Sequence, residues 1–186
     1  MKYLLGYPEP VLTQVRELIA RGQLGQRLEG KYGRSRHDVR SDGALYEYVM
    51  ALKNEFLRGA EPLSKVAYDN KLQVVAHALG THTTVARVQG SKLKAKREIR
   101  IASLFKDTPT EFLKMITVHE LAHMREKSHD KAFYKLCTHM EPDYHQLEFD
   151  LRLYLTHVEL TGKAGWTPGG ASADTSTAAK GSGGTT

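Results

Sequence analysis

The stretch from Thr108 to Met124 constrains this chain more than any other part of it. Thr108-Pro109-Thr110-Glu111 reads as a helix start, with a threonine cap, proline at the first helical position and a glutamate placed to close a capping box. Behind it, Phe112, Leu113, Met115, Ile116, Leu121 and Met124 supply more apolar surface than a helix with one buried side needs. Such a helix belongs at the centre of a fold, and the rest of the chain has to cover it.

The cover is legible in part. Val11, Val15, Leu18 and Ile19 recur at helical spacing before Gly22, and Leu45, Val49, Leu52 and Phe56 align along a second helix over about 41–57. Between about 64 and 105 the texture changes to short β-branched runs at 66–68, 72–75 and 83–88, broken by Asp69-Asn70 and Gly90-Ser91. In the last strand, over 92–101, Leu93, Ala95, Ile99 and Ile101 share one parity. Lys92, Lys94, Lys96, Glu98 and Arg100 share the other, with Arg97 breaking the pattern. Two readings fit that charged face: an edge strand whose lysines discourage aggregation, or a substrate-binding surface. Two more helices are expected over 130–140 and about 144–160. The fold expected is α+β: a small, mainly antiparallel sheet packed on a central helix, with N-terminal and C-terminal helices around them.

With 186 residues, 40% of them apolar, the chain can bury one core. One domain is expected over 1–161. The segment 162–186 is rich in Gly, Ser, Thr and Ala, with Trp166 its only large apolar residue, and is expected to be a disordered tail without chemistry. The apolar start at Tyr3, Leu4 and Leu5 is cut off by Pro8 and Glu9, too soon for a signal peptide, and no apolar run reaches membrane-spanning length. A cytoplasmic protein with no membrane partner is the expectation. The single cysteine, Cys137, excludes an internal disulfide and a multi-cysteine zinc knuckle, which leaves any metal to histidines and carboxylates. A net charge of +6 suits a polyanionic partner, but also an ordinary solvated surface, and says nothing of reaction type.

Chemistry enters at His119-Glu120-Leu121-Ala122-His123, an H-E-x-x-H pattern on the central helix. Residues four apart lie about 40° apart around a helix axis, so both imidazoles project from one face and can share a metal. Glu120, about 100° round from His119, falls beside the metal, where its carboxylate can accept a proton from a metal-activated water. Zinc is the natural first choice for histidine ligands. A catalytic zinc usually takes three protein ligands. His129 is the favoured third, with Glu141 and Glu148 as rivals. On an unbroken helix His129 would point away, about 240° round from His123. The chain must therefore turn around 126–128, with Ser128 a plausible cap for the next helix and Asp130 in its first turn. His37, His77, His82, His139, His145 and His157 lack comparable spacing and are expected in surface or packed roles. Tyr134 or Tyr144 could donate a hydrogen bond to a transition-state oxyanion.

These residues, with Lys127-Ser128-His129, Phe133-Tyr134 and Met140-Glu141-Pro142-Asp143-Tyr144, resemble the YgjP-like zinc metallopeptidases of bacteria, over about 2–157. The resemblance implies a minimal zincin-like fold, His119, His123 and His129 as zinc ligands, and Glu120 as catalytic base. Where many relatives carry Trp-Gly-Ser-Cys, this chain has Gln89-Gly90-Ser91-Lys92.

Three activities follow. The first-ranked, a metallopeptidase, would pair a polypeptide substrate with an exposed edge of the 92–101 strand. A metal-dependent phosphohydrolase, a pyrophosphatase acting on nucleoside triphosphates, would hold phosphate charge with Lys92, Lys94, Lys96, Arg97 or Arg100, without a Walker-type loop. A nucleic-acid-associated zinc protease ranks lower, because the basic strand lacks interleaved aromatics.

Overall fold

A computed structural model of the chain describes residues 1–72, 80–89 and 92–162, with side chains described for 1–72 and 97–162. The expected tail, from Lys163 onward, lies outside the described residues, as does most of the run at 72–75. Among the described residues no helix is long and apolar enough to cross a membrane.

Helices α1 (Glu9–Ala20), α2 (Leu24–Tyr32) and α3 (Asp42–Phe56) come first, followed by strands β1 (Leu63–Asp69), β2 (Gly80–Gln89) and β3 (Lys92–Ala102). Helices α4 (Thr110–Ala122), α5 (Lys131–Met140) and α6 (Tyr144–Thr161) complete the fold, which is α+β. Leu45 and Val49 of α3 are fully buried, and Ser41 caps that helix by accepting the Ala44 N–H at 3.1 Å.

Helix α2 had no counterpart in the sequence reading. Its buried residues Leu24, Leu28 and Tyr32 lie four apart on one face, and the Tyr32 hydroxyl and Lys31 ammonium both bond Asp150 of α6, at 2.5 and 2.6 Å. Gly25 permits the approach, since a Cβ there would lie 2.5 Å from the His157 ring on α6.

The sheet corrects the expectation of a mainly antiparallel arrangement. Its order is β1-β3-β2: β2 and β3 pair antiparallel, but β1 joins the other side of β3 in parallel, with Val66 opposite Ile99 and Tyr68 opposite Ile101. Side-chain parity reports which face a strand buries, not the direction of its neighbour. Ile99 and Ile101 are fully buried, as their parity required. Strand β3 is central: β2 pairs with it over Lys92–Ile101 and β1 over Arg97–Ala102, so the exposed edge expected there is filled on both sides only from Arg97 onward.

Helix α4 is the centre of the core. Phe112, Leu113, Val118 and Leu121 have no exposed surface, and Phe112 packs between Tyr32 and Tyr154, with ring centroids 4.7 and 5.7 Å away. Its start differs from the expected capping box. Thr108 donates its hydroxyl back to the Phe105 carbonyl, Pro109 occupies the cap position, and the cap is supplied by Ser35. Ser35 Oγ accepts the Thr110 N–H at 3.1 Å and donates to the Glu111 carboxylate. A residue 75 positions away thus satisfies the helix terminus. Replacing Ser35 by Ala is expected to destabilise the fold by about 1 kcal/mol, lowering the thermal midpoint by about 2–4 °C. An unchanged calorimetric midpoint would show that solvent caps α4 equally well.

Candidate metal centre

The first two histidines lie at the C-terminal end of α4, with His119 buried, Glu120 1% exposed and His123 half-buried. The helix stops at Ala122, earlier than the expected break at 126–128. The turn contains no Gly, Pro or Asn, and other contacts hold it. The N–H groups of Arg125 and Glu126 both donate to the Ala122 carbonyl at 3.0 Å, while Arg97 of β3 donates to the Met124 carbonyl at 2.8 Å. His123 Nδ1 donates to the Glu126 carbonyl at 2.9 Å. Asp130, not Ser128, caps α5, accepting the N–H groups of Ala132 and Phe133.

This turn brings His129 back over the end of α4. Its Nε2 lies 3.1 Å from Nε2 of His119 and 3.0 Å from Nε2 of His123. Phe133, fully buried on the first turn of α5, packs against all three imidazoles, with ring centroids 5.0, 4.6 and 4.7 Å from His119, His123 and His129. The rival carboxylates are engaged elsewhere: Glu141 pairs with Lys114 at 2.7 Å and Glu148 with Arg152 at 2.8 Å.

The donor set fits a metal ion on chemical grounds. His123 has its Nδ1 proton committed to the Glu126 carbonyl, so its Nε2 carries a lone pair. His119 Nδ1 lies 2.6 Å from the Tyr144 hydroxyl, which leaves its Nε2 facing the same point. His129 Nε2 can give one proton to one of them at most, so neighbouring lone pairs converge unless a cation sits among them. Two nitrogens bonded to one zinc in tetrahedral directions would be about 3.3 Å apart, close to the spacing found. Burial, then the nearby His123 and His129, lowers the His119 pKa to about 3, and burial lowers that of His123 as well, so both favour the neutral, ligating form. Glu120 has neither carboxylate oxygen hydrogen-bonded, and burial pushes its pKa up to about 8. A buried carboxylate without a partner is costly. A cation and an ordered water beside it would relieve that cost.

Of the expected substrate-binding cations, the two whose side chains are described, Arg97 and Arg100, bond other protein groups. Arg97 serves the turn, bonding the Met124 carbonyl and pairing with Glu61 at 2.6 Å. Arg100 pairs with Asp69 at 3.1 Å and Glu98 at 3.3 Å. Both arginines satisfy neighbouring protein groups, which parity along one strand could not reveal. Lys92, Lys94 and Lys96 lie on β3, but their side chains fall outside the described residues. The sequence reading also missed the ring of Phe133 beneath the histidines and the role of Arg97. The break in parity at Arg97 was the one available signal.

Fold and site together define an α+β protein with a three-histidine candidate metal centre built on an H-E-x-x-H helix. The chain belongs to the YgjP-like family. The model of the YgjP-like, metallopeptidase domain matches residues 64–154. A curated relative, the UTP pyrophosphatase of Escherichia coli strain K12, is 58% identical over 160 residues, which is 86% of this chain and 95% of that protein. No solved structure gave a significant match.

Elemental analysis after zinc reconstitution is expected to find about one zinc per wild-type chain. The site should be lost or greatly weakened in His129→Ala and retained in Glu120→Gln. Equal zinc in wild type and His129→Ala would remove His129 from the site.

Proposed function

We propose that this chain is a zinc-dependent hydrolase of nucleoside triphosphates, with UTP the first candidate, releasing pyrophosphate. His119, His123 and His129 are the ligands and Glu120 is the general base. The observation carrying this reading is the 58% identity, across 95% of its length, to a relative named for UTP pyrophosphatase activity. The centre supports the same reading, because it offers hydrolytic chemistry without dictating a peptide bond.

A divalent ion held there would acidify a water and offset charge on the reacting phosphate. The protein supplies the remainder. The buried, unpartnered Glu120 carboxylate accepts the proton of the attacking water as its oxygen bonds phosphorus and the α–β anhydride bond breaks. Phe133 holds the three imidazoles and keeps the site dry on that side. Arg97 and His123 together fix the turn that presents His129. Phosphate charge then falls to the cations flanking His129: Arg125, Lys127 and Lys131 are exposed, and among the described residues none has an ion-pair partner. They replace Arg97 and Arg100 in that role.

The metallopeptidase, ranked first from the sequence, becomes the second reading, supported by the family's description as a metallopeptidase domain. It must do without the edge of β3 over Arg97–Ile101, which is paired on both sides. A nucleic-acid role rests on net charge alone.

The zinc-loaded chain is expected to release pyrophosphate from UTP and to leave unfolded polypeptides intact, with Glu120→Gln reducing turnover about 10²–10⁴-fold. Cleavage of polypeptide with no nucleotide turnover would reverse the ranking. Arg125→Ala combined with Lys127→Ala is expected to raise KM for UTP several-fold, and wild-type KM should rise with salt as the cations are screened. A KM insensitive to both would place phosphate recognition elsewhere.

A further inference from the structure

We propose that Tyr144 is a positioning residue that holds His119 in the ligating tautomer, donating its own hydroxyl proton in a hydrogen bond to Cys137 and so tying the metal centre to three helices. This deepens the metal reading above and rests on it. His119 Nδ1 and Tyr144 Oη are 2.6 Å apart, a hydrogen bond between two buried side chains. For Nε2 to face the shared centre as a lone pair, the ring proton must sit on Nδ1. Nδ1–H therefore donates and the phenol oxygen accepts.

An oxygen that accepts there still has a proton to place. Tyr144 has no exposed surface, so water cannot take it, and the hydroxyl is hydrogen-bonded to the side chain of Cys137, which is also fully buried. The chain of donors runs from His119 on α4, through Tyr144 at the start of α6, to Cys137 on α5. This gives the lone cysteine a part no disulfide or nucleophile explains, since its thiol is pushed up to about 12 by burial.

The arrangement also singles out His119 among the three. His123 is oriented by a main-chain carbonyl, which no side-chain substitution removes. Among the described residues, His129 has no hydrogen bond at Nδ1. Tyr144 is thus the side chain through which the outer shell sets a ligand. It does so as a neutral acceptor, where a carboxylate would add negative charge and raise ligand basicity. A neutral partner leaves the bound ion its full charge for acidifying water.

The test is zinc affinity, measured by chelator competition on the full chain for wild type, Tyr144→Phe and Tyr134→Phe. Tyr134 packs near the same rings, 6.5 Å from His129 and 6.3 Å from Tyr144 between centroids, without a bond to any of the histidines. Tyr144→Phe is expected to bind zinc about 10–100-fold more weakly while keeping its circular dichroism spectrum and cooperative unfolding, with Tyr134→Phe within about twofold of wild type. Wild-type affinity in Tyr144→Phe, or an equal loss in both variants, overturns the inference. A wild-type chain that takes no zinc overturns it together with the metal reading. A zinc-binding wild type that leaves UTP intact overturns only the proposed substrate, and the affinity comparison still decides the role of Tyr144.

Discussion

The structure depends on one helix buried along its whole length that must still deliver polar chemistry at its end. From Phe112 to Val118 helix α4 is packed among α3, α5, α6 and the sheet, with Tyr32 of α2 against Phe112, and the burial continues through Glu120 and Ala122. Proteins seldom bury an unpartnered carboxylate, because desolvation is not repaid. At Glu120 the same burial that stabilises the helix makes the carboxyl unusually basic. Core packing and poised proton acceptor are therefore one feature seen from two sides. The helix cannot be repacked for stability around Glu120 without altering its chemistry.

The abrupt end of α4 follows from that constraint. A longer helix would carry His129 away from its partners, and the sequence contains no residue that breaks helices there. The break is imposed from outside, by the guanidinium of Arg97 on the Met124 carbonyl, and from within, by His123 on the Glu126 carbonyl. His123 thus has two duties, since the bond that orients its ring for a metal also shapes the turn that brings in the third imidazole. Strand β3 takes part in the site through this contact.

What was legible in the sequence was what local pattern encodes. The apolar density of α4, the i, i+4 histidines, the spacing to His129 and the parity of Ile99 and Ile101 are all properties of neighbouring residues, and the structure keeps each of them. What escaped was settled at long range. The cap of α4 comes from Ser35, and β1 chose a parallel partner that its own alternation does not name. Helix α2 is a weak helix by composition, with Gly25 and Gly30 inside it, yet it exists because Leu24, Leu28 and Tyr32 have α6 and Phe112 to cover. The partners of the two β3 arginines, Arg97 and Arg100, were illegible for the same reason: they are acidic or carbonyl groups that adjacent sequence does not single out.

This division between local and long-range information bears on the choice of substrate. The H-E-x-x-H helix, the third histidine and the buried base specify a metal and a water, and both a peptide carbonyl and a phosphoanhydride can be attacked with them. Selectivity must come from what the substrate carries besides the reacting bond. A triphosphate brings more negative charge than one divalent ion offsets, whereas an extended peptide needs an open strand edge beside the metal. In this fold β3 is closed on both sides by hydrogen-bonded neighbours over Arg97–Ile101, while the turn that carries His129 is flanked by Arg125, Lys127 and Lys131. If the turn completes the ligand set as proposed, the exposed Arg125 and Lys127 it carries stand beside the metal, and any change that moves it would alter metal binding and anion recognition together.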